Sequence, residues 1–267
     1  MRKVGFTLVE IIVVISIVAL ILTIMFPVLS STRNSAKTIL CQNNIRQIGT
    51  IFSLYHADND CLPYATNISP VSAQTTNDAS VDLPGPRWFY YLGLMPDRYA
   101  QQKSILQCPS KKYSEPKFKH NIQWGNYGVN WSVCKSPRFS LATRYREFEG
   151  KQTKLTSLRN PSKTLLLVDS GYSWIAWFHT IADDHPTRAI LTGNKTIDQI
   201  YLPGASVNWS NTLWLDHEED ARLGRHPGKT VNCLFTDGHS ENRKADDLVV
   251  QPLNHGQFVN RSPLWKP

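Results

Sequence analysis

The sequence predicts an α+β fold: one long N-terminal α-helix, transmembrane and then amphipathic, packed on an antiparallel β-sheet with long irregular loops. Three observations predict it. From Ile11 to Thr32 no residue is charged. Beyond that run, Cys41, Ile45, Ile48, Phe52 and Tyr55 follow at steps of 4, 3, 4 and 3, which is one face of a helix. Farther on, short apolar runs end in turn residues, as in NPSKTLLLVDSG at 160–171 and VNCLFTDGHSE at 231–241.

The first element is the apolar helix. Arg2 and Lys3 precede a stretch of about 22 uncharged residues, enough to cross a hydrocarbon core of about 30 Å. Those two cations stay on the cytoplasmic side and place the C-terminal bulk outside. A cleaved secretory signal has a shorter apolar core followed by a small-x-small site, and this segment has neither. A plain signal anchor fits the length but leaves Glu10 unexplained. A carboxylate in an inserting helix costs about 2.5–3.5 kcal/mol at the centre and less near the end. Pro27 lies inside the run, where it removes one hydrogen bond and kinks the helix.

The string GFTLVE, Gly5 to Glu10, sits behind a short basic leader and ahead of the long apolar run. In sequence and position it resembles the type IV prepilin processing site. The resemblance implies cleavage between Gly5 and Phe6 by a membrane prepilin peptidase, and methylation of the new amino terminus on Phe6. It also implies that Glu10 of one subunit neutralises the Phe6 ammonium of a neighbour in a filament, which sets their axial register. A buried carboxylate is tolerable when paired in this way and costly when not. Pilin-like proteins often carry a proline near position 27, and the resemblance suggests local melting there during assembly.

The helical pattern continues to about Asp58, with Asn59, Asp60 and Pro63 as stop signals, giving a span of roughly 80 Å from Phe6. Its CQNNIRQIG at 41–49 and YHADND at 55–60 are similar to the continuation in pilin-like proteins and secretion pseudopilins. Residues 66–86 read as a polar surface loop, and RWFYYLGLM at 87–95 as an aromatic, apolar segment. ILQCPS at 105–110 reads as a short strand entering a turn, and NYGVNWSV at 126–133 as a strand. Residues 135–160 look irregular, and 183–215 look like a long insertion. The organisation expected is a leader at 1–5, a transmembrane and assembly helix at 6–32, the soluble half of the helix at 33–62, and a globular β-rich head at 63–267.

Composition supports a folded head: 41% of residues are hydrophobic and only 19% charged, far from the signature of disorder. The net charge of +8 is scattered, with no run of five or six basic residues, so no nucleic-acid partner is expected. Five widely spaced cysteines (41, 61, 108, 134 and 233) form no CxxC, which argues against a zinc ribbon or a thioredoxin-like motif. If Cys41 lies on the long helix, Cys61 is roughly 25 Å from it, too far for a disulfide. Cys108 with Cys134 is the preferred pair.

The block RHPGKTVNCLFTDGHSE, Arg225 to Glu241, resembles a prepilin-associated C-terminal signature of His, nine residues, then Asp-Gly. Here ten residues separate His226 from Asp237, the extra one falling in the Pro227-Gly228-Lys229 turn. CPS at 108–110, YGVN at 127–130 and PSKTLLLVDS at 161–170 are further landmarks of that resemblance. Asp169, His226, Asp237 and His239 are candidate ligands for a metal, zinc or calcium. The competing reading is structural: Asp-Gly is ordinary turn chemistry, and His226 can brace a hairpin. Asp183-Asp184-His185 and the run Asp216 to Asp220 are the nearest acidic candidates for calcium. No hydrolase elbow, P-loop or dinucleotide fingerprint is present, so no cofactor and no enzyme activity are expected.

Trp124, Trp131, Trp174, Trp177, Trp209 and Trp214 fit a core better than a glycan-binding surface. The function implied is a pseudopilin subunit. Its partners would be prepilin peptidase, neighbouring subunits, secretion or pilus assembly machinery, and the bacterial inner membrane. The rivals are a minor pilin or adhesin displaying an aromatic-rich head, and a tethered metal-binding protein.

Overall fold

The computed structural model describes residues 7–67, 87–94, 105–110, 126–137, 147–170, 173–177, 225–252 and 258–267. Helix α1 runs from Leu8 to Asn59 without a break at Pro27. At 1.5 Å per residue its 52 residues extend about 78 Å. Thr7 caps it at the start. At the end Asp60 takes a left-handed conformation, φ 55°, and its N–H bonds His56 O at 2.8 Å. A short polar side chain is among the few that enter this region readily. Lys154 pairs with the Asp60 carboxylate and holds its pKa below the ordinary range.

Along α1 the environment changes once. The apolar residues from Leu8 to Leu29 are exposed, whereas Cys41, Ile45, Ile48, Gly49 and Phe52 are buried and Tyr55 is partly so. The buried face is the stripe that the helical spacing predicts. It lies against two neighbouring strands, β4 and β5, of a five-stranded sheet. The strands are β1 (Tyr127–Asn130), β2 (Leu165–Asp169), β3 (Trp174–Ile175), β4 (Thr230–Phe235) and β5 (Ser240–Lys244), in spatial order β3-β1-β2-β4-β5.

Three of the four strand pairings are antiparallel, while β1 and β3 run parallel, Val129 opposite Trp174. The sheet is therefore mixed rather than wholly antiparallel. β2 sits at the centre and all five of its residues are buried, as its continuous apolar run requires. β5 lies at the edge with the polar sequence SENRK, which discourages further strand pairing.

Residues 105–110 form turns rather than the expected strand. Leu106 and Cys108 are buried there, but the Cys108 N–H bonds the Asn126 side chain, so no ladder begins. The aromatic segment at 87–95 contains a short helix, α2 (Trp88–Tyr91), whose Trp88 stacks on Phe52 of α1 with centroids 5.6 Å apart. Trp131, Trp177 and Trp265 are also buried. The indole N–H groups of Trp88, Trp131 and Trp265 reach Ser173 O, Ser136 Oγ and Leu248 O, so these rings enter the core without leaving a polar atom stranded. Trp124, Trp209 and Trp214, the loop at 68–86 and the insertion at 183–215 lie outside the described residues.

Candidate functional site

Two places carry unusual chemistry. The first is the start of α1. The Thr7 hydroxyl accepts a bond from Glu10 N at 3.3 Å, and Glu10 Oε2 accepts from Thr7 N and from Thr7 Oγ1, both at 2.7 Å. This is a capping box, each residue satisfying a backbone N–H of the other. Just beyond it the helix is long and apolar enough to cross a membrane. Leu8, Ile24 and Phe26 are 74%, 63% and 67% exposed, so this half meets no partner among the described residues. Gly5 and Phe6 lie outside the described residues.

The second place is where α1 meets the sheet. Cys41 is the first buried residue of the helix. Its Sγ lies 3.1 Å from Asp169 Oδ1 and 3.4 Å from the Tyr127 hydroxyl. Asp169, at the end of β2, is fully buried and its carboxylate is saturated. Oδ2 accepts from the Asn232 backbone N–H at 2.7 Å and meets His226 Nε2 at 2.9 Å; Oδ1 faces Arg225 Nη1 at 3.7 Å.

His226 is placed by a tight turn. Its backbone pairs with Thr230 in both directions, enclosing Pro227-Gly228-Lys229, with Gly228 and Lys229 at φ 76° and 61°. Its Nδ1 is 3.2 Å from Ser110 Oγ, and its Nε2 is 3.0 Å from Asn232 Nδ2. Cys108, two residues before Ser110, completes a group in which the ligating atoms of Cys41, Cys108, Asp169 and His226 all lie within 4.8 Å of one another.

The electrostatics follow from burial and pairing. Burial pushes the Asp169 carboxyl up, but the charge and hydrogen bond of His226, with Arg225 and the Asn232 N–H, hold it below its ordinary value. Burial alone would lower His226; Asp169 reverses this and raises it to about 9. Burial likewise pushes Cys108 up, yet the hydrogen bond from Cys41, the charge of Arg225 and the hydrogen bond of His226 bring it down to about 5. Cys41 moves the other way, well above its ordinary value, through burial and its bond to Cys108. The two thiols are thus pushed in opposite directions beside Arg225 and His226.

Residues 2–26 match the family model of the prokaryotic N-terminal methylation motif. The start of the chain is thus similar to that of type IV pilin-like proteins. No curated protein and no solved structure matches it. The matched motif covers the exposed, apolar start of α1, the one helix among the described residues long and apolar enough to cross a membrane, which suggests a membrane-anchored protein.

Of the four predicted metal ligands, the structure brings Asp169 and His226 together and leaves Asp237 and His239 apart from them. His226 precedes β4 and Asp237 follows it, so the length of that strand, about 17–20 Å, separates them. Asp237 instead accepts from His239 N and pairs with His239 Nδ1 at 2.6 Å in the exposed β4–β5 turn. There Gly238 takes φ 92° and the His239 ring stacks on Phe235.

Cys41 and Cys108 take the places expected of Asp237 and His239. All five cysteines are free, so the expected Cys108–Cys134 disulfide is not formed. The acidic clusters at 183–185 and 216–220 lie outside the described residues. Two signals were available in the sequence: Thr7-x-x-Glu10 has the spacing of a capping box, and Cys41 begins the apolar stripe.

Proposed function

We propose that this protein is a pseudopilin-type structural subunit. Prepilin peptidase cuts between Gly5 and Phe6, the new amino terminus on Phe6 is methylated, and the apolar half of α1 anchors the chain in the bacterial inner membrane. The head at 63–267 stands on the far side, at the end of the helical segment 33–62. Subunits then leave the bilayer by packing their helices into a type II secretion-like pseudopilus or a type IV pilus-like filament. One observation carries the reading: the methylation motif lies on a helix whose first four turns and more bury nothing against the described residues.

In the lone subunit Glu10 is satisfied by Thr7. In a filament the same carboxylate exchanges that cap for the methylated ammonium of a neighbour, so its charge is never left unpaired in hydrocarbon. Intact mass and N-terminal sequencing of the membrane-extracted protein test the processing step. An N-methylated chain beginning at Phe6 is expected, and a mature chain beginning anywhere else overturns the proposal. An aromatic display surface, the feature of the adhesin reading, draws no support from Trp88, Trp131, Trp177 or Trp265, all of which are in the core.

A further inference from the structure

The geometry points to a structural zinc site formed by Cys41, Cys108, Asp169 and His226, which clasps the assembly helix to the head. Each ligand comes from a different segment: α1, the turn at 105–110, the end of β2, and the turn before β4. All four are buried and their ligating atoms lie within 4.8 Å of one another, with Cys41 Sγ to Asp169 Oδ1 at 3.1 Å and His226 Nε2 to Asp169 Oδ2 at 2.9 Å. A tetrahedral zinc ion with ordinary bond lengths needs ligand-to-ligand edges of about 3.3–3.8 Å. The edges of 2.9 and 3.1 Å and the outer limit of 4.8 Å bracket that range, so small side-chain adjustments bring the group to it. Two sulfurs and an imidazole select zinc over calcium or magnesium, which take oxygen ligands.

The surroundings are those of a prepared site. Ser110 Oγ contacts His226 Nδ1 and so aims Nε2 inward, the usual outer partner of a ligating histidine. The Asn232 N–H holds Asp169, and Asn126 accepts the Cys108 N–H. Arg225 is fixed by the carbonyls of Asn126 and Ser170, with Nη1 3.7 Å from Asp169 Oδ1.

Charge also balances. With zinc bound, two thiolates and one carboxylate oppose one dication and one guanidinium, and His226 is neutral. Without zinc, two protons occupy the same network in its place, and the net charge is again zero. Exchange of one Zn²⁺ for two protons thus buries no extra charge, the condition for a closed interior site. No position is left open for water or substrate, so the role is structural. It does not depend on cleavage at Gly5.

The test uses the reduced full-length chain, purified in detergent, stripped with chelator and reloaded with zinc or with cobalt as a spectroscopic probe. One zinc per chain is expected by elemental analysis. Cobalt should give the sulfur-to-metal charge-transfer bands and intense visible bands of a tetrahedral thiolate site. Cys41→Ser and Cys108→Ser should each abolish those bands, and Cys61→Ser should leave them. Ser110→Ala, which keeps all four ligands, should weaken zinc binding about 10- to 100-fold. Failure of the folded wild-type chain to take up zinc overturns the inference. So does uptake that survives both cysteine substitutions, or a Cys41–Cys108 disulfide that persists after reduction and excludes the metal.

Discussion

Asp169→Asn is the perturbation that best measures what the polar cluster does for the fold. The carboxylate is wholly buried, and it faces Arg225 and His226, whose side chains are 2% and 0% exposed. Replacing it with an amide removes a buried carboxylate that the geometry places against both cations. It also turns an NH₂ group toward one of the donors that the lost oxygen used to accept. Breaking a buried pair from one side costs about 3–5 kcal/mol, because the remaining charge stays unsolvated. For a domain of this size each kcal/mol is about 2–4 °C, so the melting temperature should fall by about 6–20 °C. The assay is a thermal melt of the full chain in detergent, followed by tryptophan fluorescence, with chelator and reductant present so that only the protein's own network is measured. Asp237→Asn at the exposed β4–β5 turn is the comparator and should cost under about 1 kcal/mol. A loss at Asp169 no larger than at Asp237 would refute the reasoning.

The pairing of His226 with Cys108 predicts a pH response under the same conditions. His226, ordinarily 6.5 and about 9 when folded, adds stability that is complete below 6.5 and lost as pH rises through 9. Cys108, ordinarily 9.0 and about 5 when folded, adds stability complete above 9 and lost as pH falls through 5. The two slopes oppose each other between 6.5 and 9, so this pair leaves wild-type stability flat there. Cys108→Ser should expose the histidine slope, a fall of up to about 3 kcal/mol by denaturant titration at the two ends of that window, and a flat profile would count against the ion pair.

Gly49→Ala puts a methyl 2.8 Å from Leu234 Cδ1 at the α1–β4 contact. The helix-propensity gain of about 1 kcal/mol is outweighed by overpacking of about 1–3, so chemical denaturation should show a net loss. Glu10→Ala should block entry into filaments, while Thr7→Ala, which removes only the cap, should not. Sheared-filament fractionation compares them, and equal defects would assign Glu10 to capping alone.

The elements that were legible in sequence are those whose burial has a simple period. The stripe from Cys41 to Tyr55 repeats every three or four residues because one face of α1 is covered by β4 and β5. β2 reads as an unbroken apolar run because it is covered on both sides. ILQCPS has the same local composition and forms no strand, since Cys108 spends its N–H on Asn126 rather than on a neighbour's carbonyl. Local sequence cannot report that choice. The parallel β1–β3 pairing likewise joins Val129 to Trp174 through chain that carries no pairing signal.

The site was half legible for a related reason. Asp169 was found as a polar residue at the end of a strand-like run, and His226 through its spacing to the Asp237-Gly238 turn. Cys41 read as the start of an apolar stripe and Cys108 as half of a disulfide; both are buried and free. What makes them part of a site is proximity across the fold, 128 positions in the case of Cys41 and Asp169.

The position of the cluster along α1 gives it a further consequence. An apolar stripe fixes which face of a helix is covered, but dispersion contacts are nondirectional and tolerate sliding along the axis. Directional bonds do not. Cys41 meets Asp169, Asn44 reaches Gln107 O, and Asn232 Nδ2 reaches Thr38 O, all within two turns of the point where the helix leaves the head. Displacing α1 by one turn would move each donor about 5.4 Å from its acceptor and strand buried polar atoms in the process. The cluster therefore sets both the rotation and the axial height at which the free half of the helix emerges. In a filament held by those free halves, that height decides where each head sits on the surface.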